Sequence, residues 1–325
     1  MNHALFVCLY AAALAGAAML VATDVFPQSW PTKPVRIIVP FPAGGSNDML
    51  ARYFGDKLTE RLGQQSVIDN RGGANGIIGT EMAANAPADG YTLLMVSTSF
   101  TMNAALRKLP YDVEKSFDPI SMFGTSPNAI VVHPGAGLNS LKEIVSRARA
   151  SPGSLLYASS GVGGFNHFGG ELFKKMAGID LVHVPYKGGG PAMIDVIAGQ
   201  IPMMFSSLTQ VLPHVRTTKL KLLVIGADQR SAVVPEIPTF AEAGYPGYEV
   251  SVWWGISAPA GVPKGIGQKL LKAFSSIVTD PTTRKRLDAE AAEPRNATPD
   301  EFRKIIRDEV IKWQAVAKTA GIQLQ

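Results

Sequence analysis

Three strand-length apolar runs fall between residues 35 and 96, at 35–39, 66–69 and 91–96, and the first two lead through glycine-rich loops into helical stripes. βα units packed this closely dictate a parallel, doubly wound sheet with right-handed crossovers. The first helix is marked by Met49, Leu50, Tyr53, Phe54, Leu58 and Leu62 at i, i+3/i+4 spacing. Ligands of such sheets sit beyond the carboxyl ends of the strands. That rule brings the loops 40–48, 70–76 and 97–99 to one edge.

The first of these loops is the strongest candidate for ligand contact. Phe41, Pro42, Ala43, Gly44, Gly45, Ser46, Asn47 and Asp48 join a strand to a helix start. The first N–H groups of such a helix are unpaired and together carry roughly half a positive charge. Glycines let a ligand approach the backbone, so the loop suits a small anion such as phosphate or carboxylate. An ordinary βα turn would use the same residues for tight geometry alone. Asp48 either braces the loop or is a plain first-turn acid favoured by the helix dipole.

The middle of the chain repeats this logic without repeating the sequence. Residues 128–133 form an apolar run read as a crossing between lobes, followed by a helix at 141–150 and a strand at 155–158. The loop Ser159, Ser160, Gly161, Val162, Gly163, Gly164 comes next, with Asn166 placed to cap a following helix. A strand at 181–184 feeds Tyr186, Lys187, Gly188, Gly189 and Gly190, and a strand at 201–205 ends in Ser206 and Ser207. Residues 250–257 read as the return crossing, where Trp253 and Trp254 either line the cleft or pack in the hinge. Helices at 266–278, 282–292 and from about 298 onward are expected to pack back on the first lobe. The fold class is therefore α/β, with two doubly wound lobes joined by crossing strands. Their glycine- and serine-rich loops, Ser97, Thr98 and Ser99 among them, face each other across a cleft.

The chemistry points to binding rather than catalysis. The chain has no Gly-x-Ser-x-Gly elbow, His-Glu-x-x-His motif or Walker loop. His133, His167, His183 and His214 have no neighbouring ligand at metal spacing, so no metal or cofactor is expected. His167 alone stands out, because it follows a glycine-rich loop near a helix start. With 31 Lys and Arg against 26 Asp and Glu, scattered rather than clustered, the net charge of +5 favours anionic solutes and not nucleic acid.

Residues 1–29 read as a cleavable secretory signal peptide, with an uncleaved membrane anchor as the alternative. Removing them takes away Asp24 and the only cysteine, Cys8, raising the charge to +6 and leaving neither disulfide nor thiol nucleophile. The expected division is a leader at 1–29, one lobe of 30–128 and 254–325, and a second of 129–253.

Several motifs carry a resemblance. They are Trp30 to Gly45, Asp48-Met49-Leu50-Ala51-Arg52, Asp69-Asn70-Arg71-Gly72-Gly73-Ala74 and Ala88-Asp89-Gly90-Tyr91-Thr92-Leu93-Leu94. His183 to Ala192, Pro235-Glu236-Ile237-Pro238-Thr239, Glu242 to Gly247 and Ala258-Pro259-Ala260-Gly261 complete the set. With them the chain resembles the periplasmic receptors of tripartite tricarboxylate transporters, the Bug family. The resemblance implies a type II periplasmic binding protein of Venus-flytrap form, a small organic carboxylate as ligand and membrane transporter components as partners; the chain itself is expected to be a monomer. A ligand-sensing role for a membrane signalling protein, or a hydrolase using the same cleft, are the other readings. Asn47 stands where the family usually has threonine, and Ser206-Ser207 where an acid is frequent. So few acids near the cleft argue against an amino-acid ligand.

Overall fold

Sixteen consecutive residues, Phe117–Val132, form one strand that belongs to two sheets at once. The computed structural model describes residues 30–320, so the leader expected at 1–29 lies outside the described residues. From Lys33 onward the chain forms one compact unit. In chain order its first half holds β1 (Val35–Val39), α1 (Ser46–Leu62), β2 (Ser66–Asn70), α2 (Ile77–Ala84), β3 (Thr92–Ser97), α3 (Thr98–Leu106) and β4, the long strand. Next come α4 (Leu141–Ala150), β5 (Leu156–Ser159), α5 (Phe165–Ala177), β6 (Val182–Pro185), α6 (Gly189–Ile197), β7 (Met203–Ser207), α7 (Leu208–Arg216) and β8 (Lys221–Gly226). The chain closes with β9 (Ser251–Pro259), α8 (Lys264–Val278), α9 (Pro281–Ala289), β10 (Glu293–Pro294) and α10 (Pro299–Ala320).

The strands run in the order β2-β1-β3-β9-β4-β7-β5-β6. β2, β1 and β3 are parallel, as are β7, β5 and β6. β9 is antiparallel to β3 and β4, and β4 is antiparallel to β7 and β8, so both sheets are mixed rather than purely parallel. The sequence rule misses this because it sees only local βα units, whereas β4 and β9 pair over long sequence separation. Each lobe has its own apolar core. Ile38, Leu94, Phe100, Phe117 and Phe302 belong to the first, and Val131, Met193, Met204, Leu212 and Ile225 to the second.

The crossing differs in one respect from a pair of equivalent strands. β4 pairs with β9 from Phe117 to Pro127 and with β7 and β8 from Asn128 to Val132, so it alone spans both sheets. β9 stays in the first sheet, and the return is made just before it, where Asn128 N–H donates to Val250 C=O at 3.0 Å. Trp253 lies in the first-lobe core, and Trp254 is wholly buried.

α10 begins with a capping box. Thr298 Oγ1 accepts from Glu301 N–H at 3.3 Å, while Glu301 Oε2 accepts from Thr298 N–H at 2.8 Å. The helix packs Phe302 and Ile306 into the first core, as the sequence led one to expect. It also reaches the second lobe, where Trp313 meets Phe168 of α5 edge-on at 5.3 Å. Phe302 bears directly on Gly255 of β9, since a Cβ there would lie 2.6 Å from Phe302 Cζ and 2.7 Å from Ser121 C=O. Gly255→Ala should therefore overpack the join of helix and sheet and cost about 1–3 kcal/mol. A melting temperature lowered by several degrees in calorimetry would show it.

Candidate ligand-binding cleft

Five helices begin at one place. The starts of α1 and α3 come from the first lobe, and those of α5, α6 and α7 from the second. Their first or capping residues line a single cavity, together with Phe41, Ser160 and Val252. Four of the five have no side-chain cap, because their capping residues are Gly45, Ser97, Gly164 and Gly188 with no side chain bonded to the first turn. Only Ser207 caps its own helix, accepting from Gln210 N–H at 3.3 Å. First-turn N–H groups left this way are anion-binding donors, each helix end adding its partial positive charge.

Among the described residues no charged side chain lines this cavity. Asp48, the nearest acid, is committed elsewhere. Its Oδ2 accepts from Gly44 N–H at 3.0 Å and from Arg52 Nε at 3.1 Å, and its Oδ1 from Asn70 Nδ2 at 3.0 Å. Burial raises its pKa, but these hydrogen bonds and the Arg52 charge outweigh burial and hold it below the ordinary value. Asp48 is thus a brace for the first loop.

The two jaws touch through backbone. A Cβ on Gly45 would stand 3.7 Å from Gly190 N, one on Gly188 2.7 Å from Pro42 Cδ, and one on Gly190 would collide with Ala43 C=O. On the other flank Arg107 Nη2, beyond the end of α3, donates to Val162 C=O at 3.1 Å. Asn75, in the left-handed region at φ 54°, lies against Gly164, whose added Cβ would meet Asn75 Oδ1 at 2.8 Å. Asn103 holds it there by paired amide bonds of 3.0 and 2.9 Å. What remains between the jaws is about 30 Å³, room for about two waters, so a larger ligand enters with the jaws parted.

Of the residues singled out from sequence, Phe41, Gly45, Ser46, Asn47, Ser97, Ser99, Ser160, Asn166, Gly189 and Ser207 line the cavity. Ala43, Gly44 and Gly188 form the jaw contact beside it. Thr98, Ser159, His167 and Ser206 lie behind the lining, buried and bonded to neighbouring groups. Gly161, Gly163, Tyr186 and Lys187 are not brought to the cavity: Tyr186 Oη donates to Asp195 Oδ2 at 2.6 Å, and Lys187 is exposed. Val162 meets Arg107 through its carbonyl and leaves its side chain exposed. Asn166 does not cap α5. Gly164 is the capping residue and Asn166 the second residue of the helix, because Gly164 already takes the extended conformation of a cap, at φ −86° and ψ 166°. Sequence reading missed Phe165, Gln210 and Val252. Only Gln210 left a signal, standing one turn beyond Ser206 once a helix start at Leu208 is recognised.

Beneath the loop of residues 159–164 lies a histidine pair. His167 and His183 stack with ring centroids 4.2 Å apart. Gly163 N–H donates to His167 Nδ1 at 3.2 Å, and His183 Nε2 lies 2.6 Å from Ser159 Oγ. The serine–histidine contact invites comparison with a hydrolytic dyad, but Ser159 is wholly buried and its hydroxyl is already shared with Gly161. The pair is scaffold. Among the described residues no group of three or more His, Cys, Asp or Glu is placed to hold a metal.

This geometry defines a two-lobed binding protein with a cleft lined by uncapped helix starts. Residues 50–322 match the family model described as the tripartite tricarboxylate transporter family receptor, and the chain belongs to that family of solute-binding receptors, which are not enzymes. It is similar to protein BugT of Bordetella pertussis, 36% identical over 94% of both chains. Among solved structures it resembles an R. palustris protein with adipate, at 34% identity and TM-score 0.88 over 90% of this chain and 99% of that one. It also resembles MatC from Rhodopseudomonas palustris with bound malate, at 31% identity and TM-score 0.83 over 88% and 99%.

Burial, followed by the Lys174 charge, lowers the His167 pKa to about 4. For His183, burial and then His167 lower it to about 3, against an opposing pull from Glu171. Both fall below the ordinary 6.5, so folding favours the neutral rings. Their contribution to stability is complete above 6.5 and drains away as the pH falls through about 4 and 3. The melting temperature should fall over that window. His167→Asn, which keeps an acceptor for Gly163 N–H, should fall less steeply in the same pH series.

Proposed function

We propose that this chain is an exported, periplasmic receptor that captures a small organic carboxylate between its lobes and delivers it to the membrane components of a tripartite transporter. The observation that carries the reading is the convergence of five helix N-termini on a cavity free of charged side chains. Such a site neutralises an oxyanion with backbone and neutral donors and offers no counter-ion to an ammonium group. Support comes from the adipate and malate seen in two similar structures and from family membership. Among the described residues no helix is long and apolar enough to cross a membrane, and export rests on reading residues 1–29 as a secretory leader. We take the lobes as 30–128 with 254–325, and 129–253, acting in one monomer that opens where β4 passes between the sheets.

Thermal-shift titration against short aliphatic, hydroxylated and aromatic acids, each paired with its neutral amide, tests the carboxylate reading. A ligand at a hundredfold its Kd adds about 2.7 kcal/mol of stability, so a true ligand raises the melting temperature while its amide does not. An acid panel that moves nothing, or an acid that is turned over, would overturn it. Closure has its own test. Gly190→Ala wedges a methyl group against Ala43 C=O, so it should weaken ligand binding by more than tenfold in calorimetry while leaving the unliganded melting temperature nearly unchanged.

A further inference from the structure

We propose that Gln210 is the specificity-determining residue of the cleft, its side-chain amide reading a second carboxylate on the ligand; the inference rests on the carboxylate-receptor reading above. Gln210 is the one long flexible side chain among the polar residues lining the cavity, and it is only 5% exposed. Its place is set from three sides. Ser207 Oγ accepts from its backbone N–H at 3.3 Å, which fixes it in the first turn of α7. Ser206 Oγ donates to its Oε1 at 3.1 Å, which orients the amide. The amide also lies flat on Gly189, the first residue of α6, where an added Cβ would stand 2.6 Å from Oε1 and 2.9 Å from Nε2.

With Oε1 engaged, the end left over is Nε2, which is buried and has no partner. A buried donor left unpaired costs about 1–3 kcal/mol, so it calls for an acceptor brought in by the ligand. The surroundings give that acceptor its charge. Gln210 sits among the starts of α5, α6 and α7, all from the second lobe and none with an acid in its first turn. The starts of α1 and α3 face them from the first lobe. A single carboxylate answers one set of helix ends, and a ligand with carboxylates at both ends answers both sets as the jaws close. Gln210 Nε2 then donates to one oxygen of the carboxylate on the second-lobe side.

Matched probes test this: butyrate against succinate, and hexanoate against adipate, measured by calorimetry on the wild type, Gln210→Met and Gln210→Glu. The wild type should prefer the diacid of each pair. Gln210→Met, close in length but without the donor, should lose about tenfold to a hundredfold in affinity for the diacid, the value of a hydrogen bond to a charged group. For the monoacid it should gain about fivefold or more, because no unpaired amide is left buried when the jaws close. Gln210→Glu places a like charge at the same point and should lose more. If Gln210→Met does not fold, Ser206→Ala frees the amide and should show a smaller loss in the same direction. Equal losses for both members of a pair, unchanged diacid binding, or a wild type that does not discriminate would overturn the role of Gln210 and leave the receptor reading standing. Binding of none of the four acids would overturn the role of Gln210 as reader of a second carboxylate, and only failure of the whole acid panel above would overturn the receptor reading with it.

Discussion

The architecture depends on the hydrogen bonding of one strand. β4 gives its first eleven residues to β9 and its last five to β7 and β8, so each sheet is completed by the same backbone. A strand interior satisfies its N–H and C=O groups only through neighbours. Moving one lobe against the other therefore has to occur where the partners change, at Pro127–Asn128. Pro127 has no N–H to lose there, and Asn128 N–H is taken by Val250 C=O on the returning chain. Two crossings thus lie side by side against the cleft, since Ser207 pairs with Asn128 and Thr98 Oγ1 accepts from Trp253 N–H, and a rotation about them parts the two sets of helix starts.

Those helix starts convert closure into recognition. Four of them lack a side-chain cap, so in the open cleft their N–H groups are satisfied by water. Closing the jaws to about 30 Å³ strips most of that water away and brings like-signed helix ends together. Without an anion this costs desolvation and repulsion; with one, the same donors act in a low dielectric, where each interaction is stronger. An anionic ligand of the kind proposed above would for this reason favour the closed form, and a difference in affinity between two states is what shifts their populations. Arg107 on Val162 and Asn75 on Gly164 add contacts that exist only when the lobes meet.

Much of this was legible in the chain itself. Strands β3 and β7 announce themselves as apolar runs ending in Ser and β1 as one that runs into Pro40, and the N-cap and capping box of α10 are written out as Thr298-Pro299-Asp300-Glu301. The first eleven residues of β4 were not, because Pro119, Gly124 and Pro127 read as breakers, and irregular register after Pro119 and Met122 destroys the alternation. Within the cleft, loop composition marked the right segments but not which way they face. Ser160 lines the cavity while its neighbour Ser159 is buried on His183, and Gly189 lines it while Lys187 turns to solvent. Orientation of this kind is set by packing beneath the loop, which a single sequence does not display.

That packing also explains how the cleft selects. The loop of residues 159–164 is held from below by His167 and His183, and the first loop by Asp48 and Asn70, so its donors are fixed before a ligand arrives. Most lining groups are backbone, serine hydroxyls or glycines, whose positions vary little, and preorganised donors lose little entropy on binding. Such a surface recognises an oxyanion well but discriminates poorly between one acid and the next, because every carboxylate presents the same two oxygens. Discrimination must come from a side chain that reaches beyond the first carboxylate and is left unpaired when nothing answers it. An unpaired buried amide costs enough to reject the wrong acid, and a methylene more or less of hydrocarbon does not.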